Sequence, residues 1–409
     1  MNHTQKPELL CPAGDYESLQ AAVRYGADAV YLAGRAFGMR SASRNFDRDE
    51  LARAVEFAHA DGAAVHVTCN IVPRNGEMEL LPEYFGFLRE LGVDALIISD
   101  LGTMALAKKY APGIPIHMSV QTGICNYESA KECFRLGAGR VVLARELSLR
   151  EIAEIRRRTP AELELEAFVH GSICVSFSGR CLLSNYMTGR DANHGDCAQP
   201  CRWAYSLVEK KRPGEEYTVY EEEEGTYILN AKDLNLIEYL PQLAEAGISS
   251  FKIEGRAKSA YYTAVTANAY RAALDGMAGQ EEYHPPRWAL EELNRISHRP
   301  YSTGFYFERP QNGQYYENSG YIREYDVAAC VTGWENGRLF LSQRNKFCEG
   351  DRVELVRPHK PPEEIRAEDM RDEEGESISS APHATMPLSI RCDIPAEEGA
   401  FLRKKRSES

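Results

Sequence analysis

The sequence predicts an α/β protein built on a (β/α)8-type, TIM-like barrel, with a cysteine-rich insertion and a small C-terminal antiparallel β-barrel domain. Three observations predict it: a unit repeated through the first 255 residues, one interval between units far longer than the others, and a switch to strand-type alternation from Asp326 onward. In the repeated unit an amphipathic segment ends at glycine, two or three residues follow, and an apolar strand begins.

The unit occurs as Gly26-Ala-Asp-Ala-Val-Tyr-Leu, Gly62-Ala-Ala-Val-His-Val, Gly92-Val-Asp-Ala-Leu-Ile-Ile, Gly137-Ala-Gly-Arg-Val-Val-Leu and Gly247-Ile-Ser-Ser-Phe-Lys-Ile. Glycine just past a helix accepts the left-handed conformation that stops it. The continuous apolar strands that follow suit a parallel sheet covered on both faces. Asp47 with Glu50, and Ser148 with Glu151, have the spacing of capping boxes that start helices. Further strands are expected near Glu8, Pro115, Glu164 and Tyr227, giving nine candidates for a barrel of eight, so one is expected outside it. No dinucleotide-type glycine fingerprint follows the first strand, which favours the barrel over an open doubly wound sheet.

The expected division is a barrel over residues 1–276 with an insertion at 170–225, a connector over 277–325, and a small β domain over 326–409. The connector is rich in Pro, Tyr and Asn, with one short helix. In the last part, Val327-Ala-Ala-Cys-Val, a turn at Glu335-Asn336-Gly337 and Arg338-Leu-Phe-Leu read as paired short strands. The run Arg403-Lys404-Lys405-Arg406 reads as a solvated tail, with phosphate contact as the alternative.

With 43% hydrophobic and 27% charged residues the composition is that of a soluble globular protein. No apolar run approaches the roughly 20 residues a membrane span needs. The polar start shows no signal-peptide architecture, so the expected location is the cytoplasm, with no membrane partner. A net charge of −13 argues against nucleic-acid binding through a broadly basic surface, though not against a local basic groove. In a reducing compartment clustered cysteines point to metal or catalysis. Of the eleven cysteines, seven are scattered and read as buried small hydrophobes; the other four form Cys174-x6-Cys181-x15-Cys197-x3-Cys201.

Four thiolates suit either an iron–sulfur cluster or a structural zinc. Close C-x2-C pairs, usual for zinc, are missing, and the loose glycine-containing spacing leans toward a larger inorganic body. Unligated thiols remain a third reading. The first cysteine falls just past the strand that ends at His170-Gly171, on the face where barrels place their chemistry. His170 is therefore a candidate for proton transfer, titrating near neutral pH, or for hydrogen bonding to a ligand sulfur or a carboxylate. Glu254 and Asp233, at other strand ends, are further catalytic candidates. Arg40, Arg44, Gln121, Arg145, Arg180, Asn230, Lys232 and Arg256 lie at or beyond strand ends and are candidates for binding an anionic substrate, since arginine pairs planar carboxylates bidentately. Lys252, inside a strand, reads as a satisfied core lysine facing Glu254.

The run Glu166-x-Phe168-x-x-Gly171-Ser172-Ile173-Cys174-x4-Gly179-x-Cys181-x-Leu183-Ser184 resembles the signature of the collagenase-like U32 peptidase family. The resemblance extends from Glu8-Leu-Leu-Cys-Pro-Ala-Gly14 through Lys252-Ile-Glu-Gly-Arg256 to the small C-terminal domain. Arg180-Cys-Leu-Leu-Ser184, Cys197-x3-Cys201-Arg-Trp203, Asn230-x-Lys-Asp-Leu234 and Asn345-Lys-Phe347 are most similar to its tRNA-hydroxylating branch.

That resemblance implies prephenate-dependent, oxygen-independent 5-hydroxylation of the wobble uridine of tRNA. It implies a [4Fe–4S] cluster on Cys174, Cys181, Cys197 and Cys201, with Cys11 and Cys69 as reserve ligands. tRNA and prephenate are the implied partners; an electron donor such as a ferredoxin, and a paralogous subunit, are further candidates. Competing readings are hydroxylation of another RNA, the peptidase of the family name, and a non-enzymatic cluster protein. Neither a His-Glu-x-x-His motif nor a Gly-x-Ser-x-Gly elbow supports the peptidase.

Overall fold

The computed structural model describes residues 6–39, 44–174, 176–177, 180–203, 207–208, 216–217, 221–222, 225–226, 231–277, 282–307 and 321–406. The five glycines that close the repeated unit all have positive φ, from 73° to 104°, and a strand follows each. Asp47 and Ser148 cap their helices with Glu50 and Glu151 in the reciprocal arrangement their spacing predicts.

The strands are β1 (Glu8–Pro12), β2 (Ala29–Leu32), β3 (Ala64–Cys69), β4 (Ala95–Ile98), β5 (Ile116–Met118), β6 (Arg140–Val142), β7 (Glu164–Ser172), β8 (Asp233–Asn235) and β9 (Ser250–Ile253). β1 to β7 run parallel in sequence order, and β9 pairs in parallel with both β1 and β7. Eight strands thus close a barrel, and its helices bury their apolar faces against the outside of the wall. The ninth strand does lie outside. The candidate at Tyr227 itself falls outside the described residues, whereas β8 runs antiparallel to the end of β7 and carries Tyr301–Ser302 on its other edge.

One irregularity matters for the site. β9 pairs Lys252 with Phe168 and then Ile253 with His170, so β7 carries an extra residue, Val169, at that point. A bulge of this kind reverses the alternation of faces along a strand. Glu166 and Phe168 point into the barrel, whereas His170 packs on Tyr262 and Tyr270 of the outer helix Ala260–Asp275. Gly171 follows with φ 103°, and a Cβ there would overlap the carbonyl oxygen of Glu254. Only glycine lets the ends of β7 and β9 approach so closely.

The C-terminal part is a seven-stranded antiparallel sheet with its own apolar core. Its end strands, Glu363–Arg366 and Glu368–Arg371, are joined through Ala367 alone, so the sheet curls round toward closure. The domain docks on the barrel wall: the Tyr25 hydroxyl donates to Val356 O at 3.0 Å, and Asn268 Oδ1 accepts from His359 N at 2.8 Å. The basic run of residues 403–406 is not a solvated tail. Arg403 lies in the strand Phe401–Lys405, fully buried between Glu292, Glu354 and Tyr261. Among the described residues no helix is long and apolar enough to cross a membrane.

Candidate active site at the barrel mouth

Parallel strands leave their carboxyl ends at one mouth of the barrel, where the connecting loops build a site. A cavity of about 140 Å³ opens there, roughly ten times what one water needs. Cys174, Cys181, Cys197 and Cys201 all line it, so residues spread over 28 positions of sequence meet at one cavity. Gln121, Arg145, Lys252, Glu254 and Arg256 line it too, with Met39, Ile97, Val142 and Phe168 supplying apolar surface.

The insertion is held over the mouth by its own polar contacts. Val72 N donates to Asn193 O at 3.4 Å, and Asn193 Nδ2 donates to the Cys181 carbonyl at 3.0 Å. His194 bridges Asp191 and Glu77 at 2.9 and 3.2 Å, joining the insertion to the short helix Asn75–Met78 that follows β3. Around the thiols the backbone is turned inward: Leu183 N donates to Cys181 Sγ at 3.3 Å and Gln199 N to Cys197 Sγ at 3.4 Å. The second contact is made with Gln199 in the left-handed region at φ 56°.

Cysteines throughout the chain are free thiols. The four at the mouth line the cavity without converging: among the described residues no three Cys, His, Asp or Glu side chains form a metal-holding group. The donor set nevertheless fits an iron–sulfur cluster in kind. Soft sulfur ligands surround a single cavity, and amide N–H groups aimed at sulfur favour thiolate over thiol. Cys11 and Cys69 do not join them. Both are buried in the barrel core, where desolvation pushes their thiols well above the ordinary value and keeps them protonated.

Several polar candidates are drawn together. Arg145 places its guanidinium carbon 3.9 Å from the Phe168 ring centroid, donates to Ser172 O at 3.1 Å, and approaches Glu254 at 3.9 Å. The Tyr31 hydroxyl, which donates to Ile253 O at 2.9 Å, also lies 3.4 Å from Glu254 Oε2. Arg256 is buried, donating to Thr68 Oγ1 at 3.1 Å and Asn45 Oδ1 at 2.6 Å. Gln121 is bonded to Met39 and Ser119.

Others stand elsewhere. Arg44, Arg180 and Lys232 do not line the cavity, and Arg40 and Asn230 lie outside the described residues. Asp233 is buried in β8, accepting from Arg299 N at 3.1 Å and Arg299 Nη1 at 3.3 Å, and forms a closed ion pair away from the cavity. Sequence reading missed this because Arg299 comes from the connector. It also missed Lys252, whose partner is Glu166 at 2.7 Å rather than Glu254, and which lines the cavity. Glu166 and Lys252 both sit at inward positions of parallel strands where apolar residues are the rule, and that misfit was the available signal.

His170 requires a correction. It does not line the cavity, and burial, helped by His298 and Lys258, lowers its pKa from 6.5 to about 3. It stays neutral rather than titrating near neutral pH. The unfolded chain takes up this proton as pH falls below 6.5, whereas the folded one waits until about pH 3. Stability from neutral His170 is therefore complete above pH 6.5 and lost as pH drops toward 3. Replacing His170 by Phe is expected to flatten the acid limb of stability by up to about 1.4 kcal/mol per pH unit. Urea midpoints at pH 7 and pH 5 read this; equal slopes in both proteins would refute it.

Comparison with known proteins agrees with this architecture. Residues 14–315 match peptidase family U32, and residues 323–403 match the family's C-terminal domain. tRNA hydroxylation protein P1 of Bacillus subtilis is 36% identical over 405 residues, covering 98% of this chain and 95% of that protein. tRNA hydroxylation protein P of Escherichia coli is 37% identical over 449 residues, covering 99% and 98%. The 23S rRNA 5-hydroxycytidine C2501 synthase of Escherichia coli is 40% identical over 270 residues, 66% of this chain but 39% of that protein. Because the matches run through both the barrel and the small sheet, the chain belongs to peptidase family U32.

Proposed function

We propose that this chain is an RNA hydroxylase that acts on tRNA, hydroxylating C5 of the wobble uridine with a [4Fe–4S] cluster and prephenate as co-substrate. The observation that carries the reading is that four thiols and a set of cationic and amide side chains line one cavity at the barrel mouth. The names of the relatives support RNA hydroxylation as the reaction class. Held by Cys174, Cys181, Cys197 and Cys201, a cluster supplies one-electron redox chemistry at the cavity wall.

The chain's own residues do the rest. Arg145 and Arg256 attract and orient an anionic co-substrate, and Gln121 offers an amide to its polar groups. Glu254 is the lining carboxylate placed to exchange a proton with bound substrate. Met39, Ile97, Val142 and Phe168 exclude water from the reacting atoms. No histidine lines the cavity among the described residues, so a thiol–imidazole pair for peptide cleavage has no support there.

Nucleoside mass spectrometry of total RNA from a strain lacking the gene tests the proposal. Loss of 5-hydroxyuridine derivatives from tRNA is the expected result. Loss of a modified nucleoside from ribosomal RNA instead would move the substrate to that RNA, and an unchanged profile of both would overturn the proposal.

A further inference from the structure

We propose that Lys252 is the floor of an anion subsite within the cavity, and that its ligand is a carboxylate of a small organic acid. The inference deepens the proposed function and rests on its reading of the cavity as a reaction site. The Lys252 ammonium has three N–H donors. Glu166 takes one at 2.7 Å, and the described residues supply no second protein acceptor. The Tyr31 ring centroid lies 4.3 Å from Nζ and that of Phe168 5.5 Å, so the cation sits between aromatic faces and opens toward the cavity.

Below it the barrel is charged where such barrels are usually filled by Val, Ile and Leu. Glu166, wholly buried, also receives Arg140 Nη1 at 3.1 Å, and Arg140 is held in turn by Glu8 at 2.5 Å and Glu164 at 2.7 Å. His66 and His117 border this network, held neutral by burial above all. Burying charges carries a desolvation cost on each ion, and replacing buried ion pairs by an apolar layer of similar volume is often neutral or stabilising. The network is therefore poor economy as a core. It does fix one cation at the cavity floor, braced from beneath.

Charge and geometry identify the ligand class. Lys252, Arg145 and Arg256 are three cations in the lining against one lining carboxylate, Glu254, with Glu166 beneath offsetting part of the Lys252 charge. Arg145 shares the Phe168 ring with Lys252, and its buried Nε–H has no partner among the described residues. Two cations on one aromatic ring suit two carboxylates on one small molecule, while the apolar wall suits the carbon frame between them.

Calorimetric titration of the full chain with prephenate, and separately with inorganic phosphate, tests this. Lys252→Met alone would strand Glu166, so Lys252→Met/Glu166→Gln is the informative variant: it removes both charges, and a retained thermal unfolding transition confirms its fold. Wild type is expected to bind prephenate in preference to phosphate, and the double variant to bind it at least roughly 30-fold more weakly. Lys252→Arg should recover part of the affinity, which a purely structural role would not require. Equal binding by wild type and the double variant overturns the role of Lys252 and leaves the hydroxylase reading standing. Lys252-dependent binding of phosphate without prephenate overturns the carboxylate class. Binding of neither overturns the inference, while the RNA modification profile judges the proposed function independently.

Discussion

Cys181→Ser is expected to strip the purified protein of bound iron and sulfide and to lower tRNA hydroxylation by roughly 100-fold or more, since even lesser damage to a metal site costs 10–100-fold. The serine keeps the size of the side chain but replaces a soft donor with a hard one. It also loses the sulfur to which Leu183 N donates at 3.3 Å. The same result is expected at Cys174, Cys197 and Cys201, which share the cavity wall. Cys11→Ala and Cys69→Ala are the controls, because those thiols are sealed in the core and should leave iron content unchanged. Iron assay with anaerobic activity measurement reads both properties. A Cys181→Ser protein with full iron and full activity would sink the cluster assignment.

Arg403→Ala is expected to lower stability by about 3 kcal/mol, the low end of the cost of breaking a buried ion pair, because Arg295 still offsets part of the Glu292 charge. The guanidinium is fully buried and bonds Glu292 at 2.5 and 2.7 Å, Glu354 at 2.6 Å and the Tyr261 hydroxyl at 2.9 Å. Glu292 is buried as well, and Arg295 stays beside both carboxylates, 3.3 Å from Glu292 and 3.0 Å from Glu354. The variant Arg403→Met/Glu292→Leu, which removes both buried charges, should recover much of the loss. Denaturant titration distinguishes the cases, and a loss under about 1 kcal/mol for Arg403→Ala would place the pair among weak surface contacts.

What the sequence disclosed, and what it hid, divides along the range of the interactions. The barrel was legible because each unit repeats a local signal: a helix stop at glycine, then a strand long enough to be buried on both faces. The capping boxes at Asp47 and Ser148 are equally local, and the structure contains both. The gathering of the cysteines was legible because they follow the end of a barrel strand. His170 was misread because its place at a strand end, four residues before Cys174, does not reveal the single extra residue that turns it out against Tyr270. Asp233 and Lys252 were misread because their partners, Arg299 and Glu166, lie 66 and 86 positions away. Arg403 looked like a solvated tail because nothing within its own run reveals Glu292 across the domain boundary.

The extra residue at Val169 has a consequence for how relatives can diverge. Because β7 makes its turn at the bulge, within the scaffold, the direction in which the chain leaves toward Cys174 is set before the insertion begins. Segments between the later cysteines are relieved of that directional task. What fixes them is contact rather than direction: Asn193 with Val72 and His194 with Glu77 anchor the stretch before Cys197, and residues outside those contacts carry the freedom to vary.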